Sequence, residues 1–132
     1  MKIDEKKYNF IKEFNELLEK HKNKVFSNRL IRIKANVLPK QTNYPENYHN
    51  YAHIDNLDHP VETLLYYVND SDGGTFIFNE KKGDKFDKLT IKERVTPKKG
   101  RAVLFDSNYF HASSSPVKSS SRAVINFVFQ KE

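Results

Sequence analysis

The sequence predicts a mainly β domain with a single N-terminal helix, its strands arranged as a sandwich, jelly roll or barrel. Three observations predict it. Helical periodicity occurs once, at the start of the chain. Short apolar segments then follow one another, separated by turn chemistry. No helical segment lies between them, which disfavours a parallel α/β sheet.

Residues 4–22 are expected to form the helix, because Phe10, Ile11, Phe14, Leu17 and Leu18 recur at helical spacing among Glu and Lys. Asp4 is a suitable N-cap. The apolar stripe is assigned to the core, since the sheet that follows needs a cover. The first strand is expected over 30–38, Leu-Ile-Arg-Ile-Lys-Ala-Asn-Val-Leu, ending at Pro39. Residues 41–50 are polar, aromatic and Pro-containing, so they are expected as a loop. Further strands are expected at 51–55, 61–68, 74–79, 88–95, 101–106, 109–113 and 122–129. Asp-Ser-Asp-Gly-Gly at 70–74, Lys-Gly-Asp at 82–84 and Pro-Lys-Lys-Gly at 97–100 supply the turns between them. The chain, 1–132, is expected as one domain, a helix over 4–22 and a β core over about 29–129. Ten Phe and seven Tyr give that core large buried areas despite few aliphatics.

Composition removes several chemistries. There is no cysteine, so disulfides, thiolate metal sites and cysteine nucleophiles are excluded. Any metal must sit on His, carboxylate or backbone oxygen. The formal net charge is +6, with Lys pairs at 6–7, 81–82 and 98–99. A solvated basic surface accounts for them, and no nucleic-acid motif accompanies the charge. No apolar run approaches the roughly 20 residues that span a bilayer. The N-terminus is charged and has no apolar signal core. A cytoplasmic, reducing setting is expected, with no membrane partner.

Three segments carry chemistry. In a strand, residues i and i+2 share a face, so His53-Ile54-Asp55 offers an imidazole and a carboxylate side by side. That pair alone is a weak signal. His111, far along the chain in Phe105-Asp106-Ser107-Asn108-Tyr109-Phe110-His111, completes two His and one carboxylate. Such a set holds one face of an octahedral metal and leaves the other positions open, as in non-haem Fe(II) oxygenases. Arg122 opens the apolar segment Ala123-Val124-Ile125-Asn126-Phe127-Val128-Phe129. A cation facing a core needs an anion, because burying it unpaired is costly. A planar guanidinium suits the distal carboxylate of a dicarboxylate chelated to the metal.

His53-x-Asp55, His111 and Arg122, in this order and spacing, resemble the 2-oxoglutarate/Fe(II) oxygenases. The likeness extends to the prolyl 4-hydroxylase-like branch and its short forms encoded by marine phages. Leu64-Leu65-Tyr66-Tyr67-Val68-Asn69 resembles that branch's Tyr-Tyr-Leu-Asn strand. Gly73-Gly74 resembles its Gly-Gly turn, and residues 100–105, Gly-Arg-Ala-Val-Leu-Phe, resemble the strand before its distal histidine. The resemblance covers about Arg29 to Phe129.

It implies a double-stranded β-helix, a jelly-roll relative, as the core. It implies Fe(II) on His53, Asp55 and His111, which are the implied catalytic and metal residues. It also implies 2-oxoglutarate and O2 as co-substrates, with ascorbate a candidate reductant. In such enzymes 2-oxoglutarate loses carbon dioxide to give succinate and a substrate C–H bond is hydroxylated. Tyr67 matches the position that donates a hydrogen bond to the distal carboxylate beside Arg122. Two departures leave the remaining hydroxyls of that pocket open: Val124 stands where many relatives have Ser, and Leu38 where they often have Tyr.

The implied substrate is a prolyl residue, hydroxylated at C4, in a peptide or protein. Tyr44, Tyr48 and Tyr51 in the 40–52 loop could supply an aromatic lid over the ring. A small molecule or a nucleobase adduct is the alternative substrate. No second Arg follows Arg122 as it does in nucleic-acid dealkylases of this superfamily, so nucleic acid is not expected as a partner. A non-catalytic jelly-roll binding module is a third reading, which the complete triad and Arg122 oppose. His21 and His59 are expected on the surface, and so is His49, beside the metal motif. A host-cell cytoplasm is implied if the chain is phage-encoded.

Overall fold

Period-2 alternation of aromatic, aliphatic and Thr side chains underlies the seven strands formed by the described residues. The structure is a computed structural model that describes residues 16, 19–20, 29–45, 48–55 and 60–131. The helix expected over 4–22 lies outside these residues, apart from Glu16, Glu19 and Lys20. The strands are β1 (Leu30–Pro39), β2 (Val61–Tyr67), β3 (Thr75–Lys81), β4 (Ile91–Val95), β5 (Ala102–Asp106), β6 (Tyr109–Ser113) and β7 (Ser121–Gln130). They form two antiparallel sheets, β1-β7-β2-β5 and β4-β3-β6.

One expected strand is corrected. Residues 51–55 form no regular strand; His53 alone makes an isolated antiparallel bridge to His111 of β6. The ladder stops because the chain leaves β6 after the bridge, and Asp55 N–H instead donates to the Ser107 carbonyl at 3.3 Å. Even so, the segment lies along the free side of β6 and extends the second sheet past its third strand.

The pleat sorts residues into layers. Toward the second sheet, the first sheet presents the cross-strand rows Arg32–Val128–Thr63–Phe105, Lys34–Asn126–Leu65–Val103, Asn36–Val124–Tyr67 and Leu38–Arg122. Leu65, Tyr67 and Val124 meet Val95 of β4 and close one end of the space between the sheets. The outer face of the first sheet buries Leu64, Tyr66, Phe127 and Phe129. The outer face of the second buries Phe76, Phe78 and Ala112. β2 is covered on both faces, so it reads as an almost unbroken apolar run rather than an alternating one.

The turn after β2 is stitched to the loop before β7. Asp72 accepts backbone N–H bonds from Val117, Lys118 and Ser119 at 2.9–3.0 Å. Asn69 donates to the Ser121 carbonyl and accepts from Ala123 N–H, at 3.0 and 2.9 Å. Gly73 lies so close to this loop that a Cβ there would meet the Ser114 carbonyl at 2.5 Å. The Ser-rich stretch 113–121 is therefore a fixed strap that sets where β7 begins. Among the described residues no helix is long and apolar enough to cross a membrane.

Candidate active site

His53 and His111 exchange backbone bonds, each N–H donating to the other's carbonyl at 3.0 Å. This pairing sets both side chains on one side of the bridge, with ring centroids 4.5 Å apart. Asp55 joins them: its Oδ2 lies 3.9 Å from His111 Nε2, and one donor atom from each of the three residues falls within 4.8 Å of the others. Among the described residues they form the only such group of three. The two residues expected on one strand face thus converge, although they do not lie in a regular strand.

Neighbouring groups orient all three. His111 Nδ1 lies 2.8 Å from the Tyr109 carbonyl, so Nδ1 carries the proton and Nε2 offers its lone pair. His53 Nδ1 makes a looser contact of 3.4 Å with the Tyr51 carbonyl. Thr63 donates to Asp55 Oδ2 at 3.2 Å and shares a 2.7 Å hydrogen bond with Ser107 Oγ. Burial pushes the His111 imidazole below its ordinary pKa, and nearby His53 adds to this, while the Tyr109 carbonyl and Asp55 oppose it. A neutral His111 is the form that binds metal. Two imidazoles and a carboxylate, with lone pairs aimed at one point, fit a divalent first-row metal of the iron type.

Arg122 is 4% exposed. Its Nε donates to the Gly73 carbonyl at 2.9 Å and its Nη2 to Thr75 Oγ1 at 2.7 Å. Tyr67 donates its phenol to the same Thr75 oxygen at 2.7 Å. No carboxylate pairs with Arg122 among the described residues. Burial lowers its pKa and the Tyr67 hydroxyl partly offsets this, but a guanidinium stays charged in any protein. Burial likewise raises the Tyr67 pKa, against Thr75 and Arg122, so Tyr67 remains a neutral donor. Thr75 pairs with Ser113 and Ile77 with His111, so Arg122 meets β3 one two-residue step away from the histidine. Two residues of strand are about 7 Å.

Both groups open into one cavity of about 250 Å³ between the sheets. Tyr67 is not in its wall; Thr75 stands between the phenol and the cavity. Thr63, Ser107 and Thr75 were not singled out from sequence, because Thr and Ser in strands and turns are ordinary. Their one sequence signal is period: Thr63 shares a strand face with Leu65 and Tyr67.

The tyrosine lid is corrected. Tyr44 and Tyr48 pack edge to face at 5.1 Å and line a separate pocket with Arg94, Ser114 and Lys118. Tyr44 is held there because its hydroxyl donates to Asn50, which donates to Ser113. Tyr51 stands beside the triad but is 98% exposed. His49 packs on Phe76 and Phe78, on the outer face of the second sheet rather than in the site.

Residues 39–130 match the model of the 2OG-Fe(II) oxygenase superfamily. The chain belongs to that superfamily, and membership implies Fe(II) with 2-oxoglutarate and O2. No curated protein matches this sequence. Among solved structures it is similar to a novel N-substituted L-amino acid dioxygenase from Burkholderia ambifaria AMMD, at 12% identity and TM-score 0.59, over 89% of this chain and 59% of that one. It is also similar to the non-haem alpha ketoglutarate dependent epimerase SnoN from nogalamycin biosynthesis, at 12% and 0.57, over 78% and 49%. A Pseudomonas putida prolyl-4-hydroxylase matches at 16% and 0.48, over 89% and 63%. The chain thus spans less than two thirds of each of these proteins, and the first two likenesses bear on the fold alone.

Proposed function

We propose that this protein is a 2-oxoglutarate- and Fe(II)-dependent dioxygenase that hydroxylates a substrate C–H bond. His53, Asp55 and His111 hold the metal, and Arg122 anchors the distal carboxylate of 2-oxoglutarate. One observation carries the reading. A buried guanidinium with no carboxylate partner among the described residues opens into the same cavity as a two-His, one-Asp cluster. A dicarboxylate reaching from the metal resolves the cation's missing charge.

The metal and co-substrate supply the oxidising chemistry, consuming O2 and releasing succinate and carbon dioxide. The chain's own work is placement. Tyr109 and Thr63 hold the His111 and Asp55 donor atoms in position. Thr75 Oγ1 accepts from both Arg122 and Tyr67, so its own proton is left to point into the cavity. Thr75 therefore joins Arg122 in donating to the anion, and Tyr67 acts through it. Ascorbate would return oxidised metal to the ferrous state.

For substrate, C4 of a prolyl residue in a peptide is the first reading, supported by the resemblance at Tyr66-Tyr67, Gly73-Gly74 and residues 100–105. A small molecule is the second, favoured by the modest cavity. The reducing cytoplasm, of a host cell if the chain is phage-encoded, is the proposed setting.

The test uses protein, Fe(II), 2-oxoglutarate and O2, with succinate measured in the absence of substrate. Wild type should release succinate slowly, and His111→Ala and Arg122→Ala should not at the same co-substrate level. Arg122→Ala should weaken 2-oxoglutarate binding by about 2–5 kcal/mol. Unchanged 2-oxoglutarate affinity in Arg122→Ala would reject the anchor. Peptide pools with and without proline, scored for a gain of one oxygen, decide between the two substrate readings.

A further inference from the structure

The cavity wall built by β1 and β7 has a polarity that the metal and co-substrate do not explain. Arg32, Lys34 and Asn36 of β1, and Asn126 of β7, all line the cavity. Ile31 and Ile33 point the other way and stand 43% and 54% exposed. Sliding β1 by one residue would exchange the two faces. The aliphatics would then line the cavity and the cations would face water, the arrangement expected around an apolar substrate. The observed register does the reverse.

These polar groups also lack partners. Arg32, Lys34 and Asn126 form no side-chain hydrogen bond or ion pair with the described residues, and among those residues the only acid in the cavity wall is Asp55. Formal charges sharpen the point. A divalent metal, a 2-oxoglutarate dianion, Asp55 and Arg122 balance to zero with both histidines neutral. Arg32 and Lys34 leave the cavity mouth two positive charges in excess, which draws anions toward it.

We infer that Arg32 and Lys34 form a carboxylate-binding subsite for the substrate, with the Asn126 amide bonding a neighbouring polar group. This inference rests on the oxygenase reading and narrows its substrate class to acids. Arg32 shares a row with Val128 and Thr63, and Thr63 holds Asp55. Strands about 4.8 Å apart put Arg32 roughly 10 Å from Thr63 across the cavity floor. A small organic acid, or an acidic side chain near the target residue of a peptide, spans that distance. A guanidinium and an ammonium on one strand face give the acid a fork and a point charge together.

The experiment uses protein loaded with Ni(II) and 2-oxoglutarate, and calorimetry with two matched probe sets. One set is N-acetylated amino acids against their amides, which presents a free carboxylate. The other is proline-containing peptides with Asp or Glu against the same peptides with Asn or Gln. The acid member of at least one set should bind tenfold or more tightly than its neutral twin. Which set responds identifies the source of the carboxylate. Arg32→Ala/Lys34→Ala should erase the preference, and Arg32→Glu/Lys34→Glu should invert it. Both side chains are exposed, so neither variant disturbs the core. Neither side chain is placed on the metal or on 2-oxoglutarate, so uncoupled succinate release with Fe(II) at saturating 2-oxoglutarate should persist in both variants.

Equal binding of acids and neutral twins, no binding by any acid, or an unchanged preference in the double variants would overturn the inference. An edge-protection role for the charges moves solubility and none of these constants. Absence of succinate from wild type would instead strike the oxygenase reading, and the acid preference would still be measured.

Discussion

At the scale of single residues, the proposed anchor Arg122 depends on Thr75. Its hydroxyl accepts from the Arg122 guanidinium and the Tyr67 phenol at 2.7 Å each. Both donors are buried, and losing their acceptor costs each of them desolvation without return. Thr75→Val preserves shape and removes that acceptor. It should weaken 2-oxoglutarate binding by about 1–3 kcal/mol, while Thr75→Ser should stay close to wild type and metal affinity should not move. Equilibrium binding of 2-oxoglutarate to the Ni(II)-loaded variants checks this, and a Val variant with wild-type affinity would remove Thr75 from the site. Arg122 was legible in the sequence because a lone cation in an apolar run demands an explanation. Thr75 was not, since a Thr near a strand end is common and its two donors come from distant segments.

Elements are held in place here by turn chemistry as much as by core packing. Asp72 caps three successive backbone N–H groups of the strap before β7. Burial alone would raise its pKa, but the N–H groups of Ser119, Lys118 and Val117 together outweigh burial and hold the carboxyl well below the usual range. The folded pKa is therefore lower than the unfolded one, near 3.9. Its stabilisation is present above about pH 4 and is lost as pH falls further toward the folded value. Asp72→Asn should lower the thermal midpoint at pH 7 and narrow the loss between pH 5 and pH 3 relative to wild type. Parallel pH profiles for the two proteins would show that the cap contributes nothing. The strap also starts β7, so the variant should bind 2-oxoglutarate more weakly through a displaced Arg122. Seven of the eight strands expected after the helix appear near their expected bounds, because alternation and Gly-containing turns are local signals. The strand expected at 51–55 does not, because its pairing depends on where β6 and Ser107 lie in space. The exchange of tyrosines between lid and side pocket has the same cause: the Tyr44–Asn50–Ser113 chain joins segments that no local pattern connects.

For the whole molecule, the proposed metal site would act as a crosslink. The 53–55 segment is tied to β6 by a single bridge, and β6 belongs to the second sheet, while Thr63 of the first sheet supports Asp55. A metal held by all three side chains thus joins both sheets to a segment with little regular structure of its own. Binding to the folded state alone adds RT ln(1 + [L]/Kd), about 2.7 kcal/mol at a hundredfold excess over Kd. For a domain of this size, 1 kcal/mol shifts the midpoint by about 4 °C, so Ni(II) should raise Tm by roughly 10 °C at pH 7.5. Two pH effects then act in the same direction. Burial keeps folded His111 below its ordinary pKa, so in metal-free protein its share of stability is intact above about pH 6.5 and falls as pH drops through that value. Metal binding also requires neutral imidazoles, so the Ni(II) increment itself should shrink at pH 5.5. His111→Ala and Asp55→Ala should each lose most of the increment at pH 7.5, whereas Arg122→Ala should keep it, because the guanidinium touches no metal donor. Thermal unfolding of the four proteins with and without Ni(II), at both pH values, measures all of this. An increment of the same size in His111→Ala would mean that the metal binds elsewhere and that the triad does not clamp the fold.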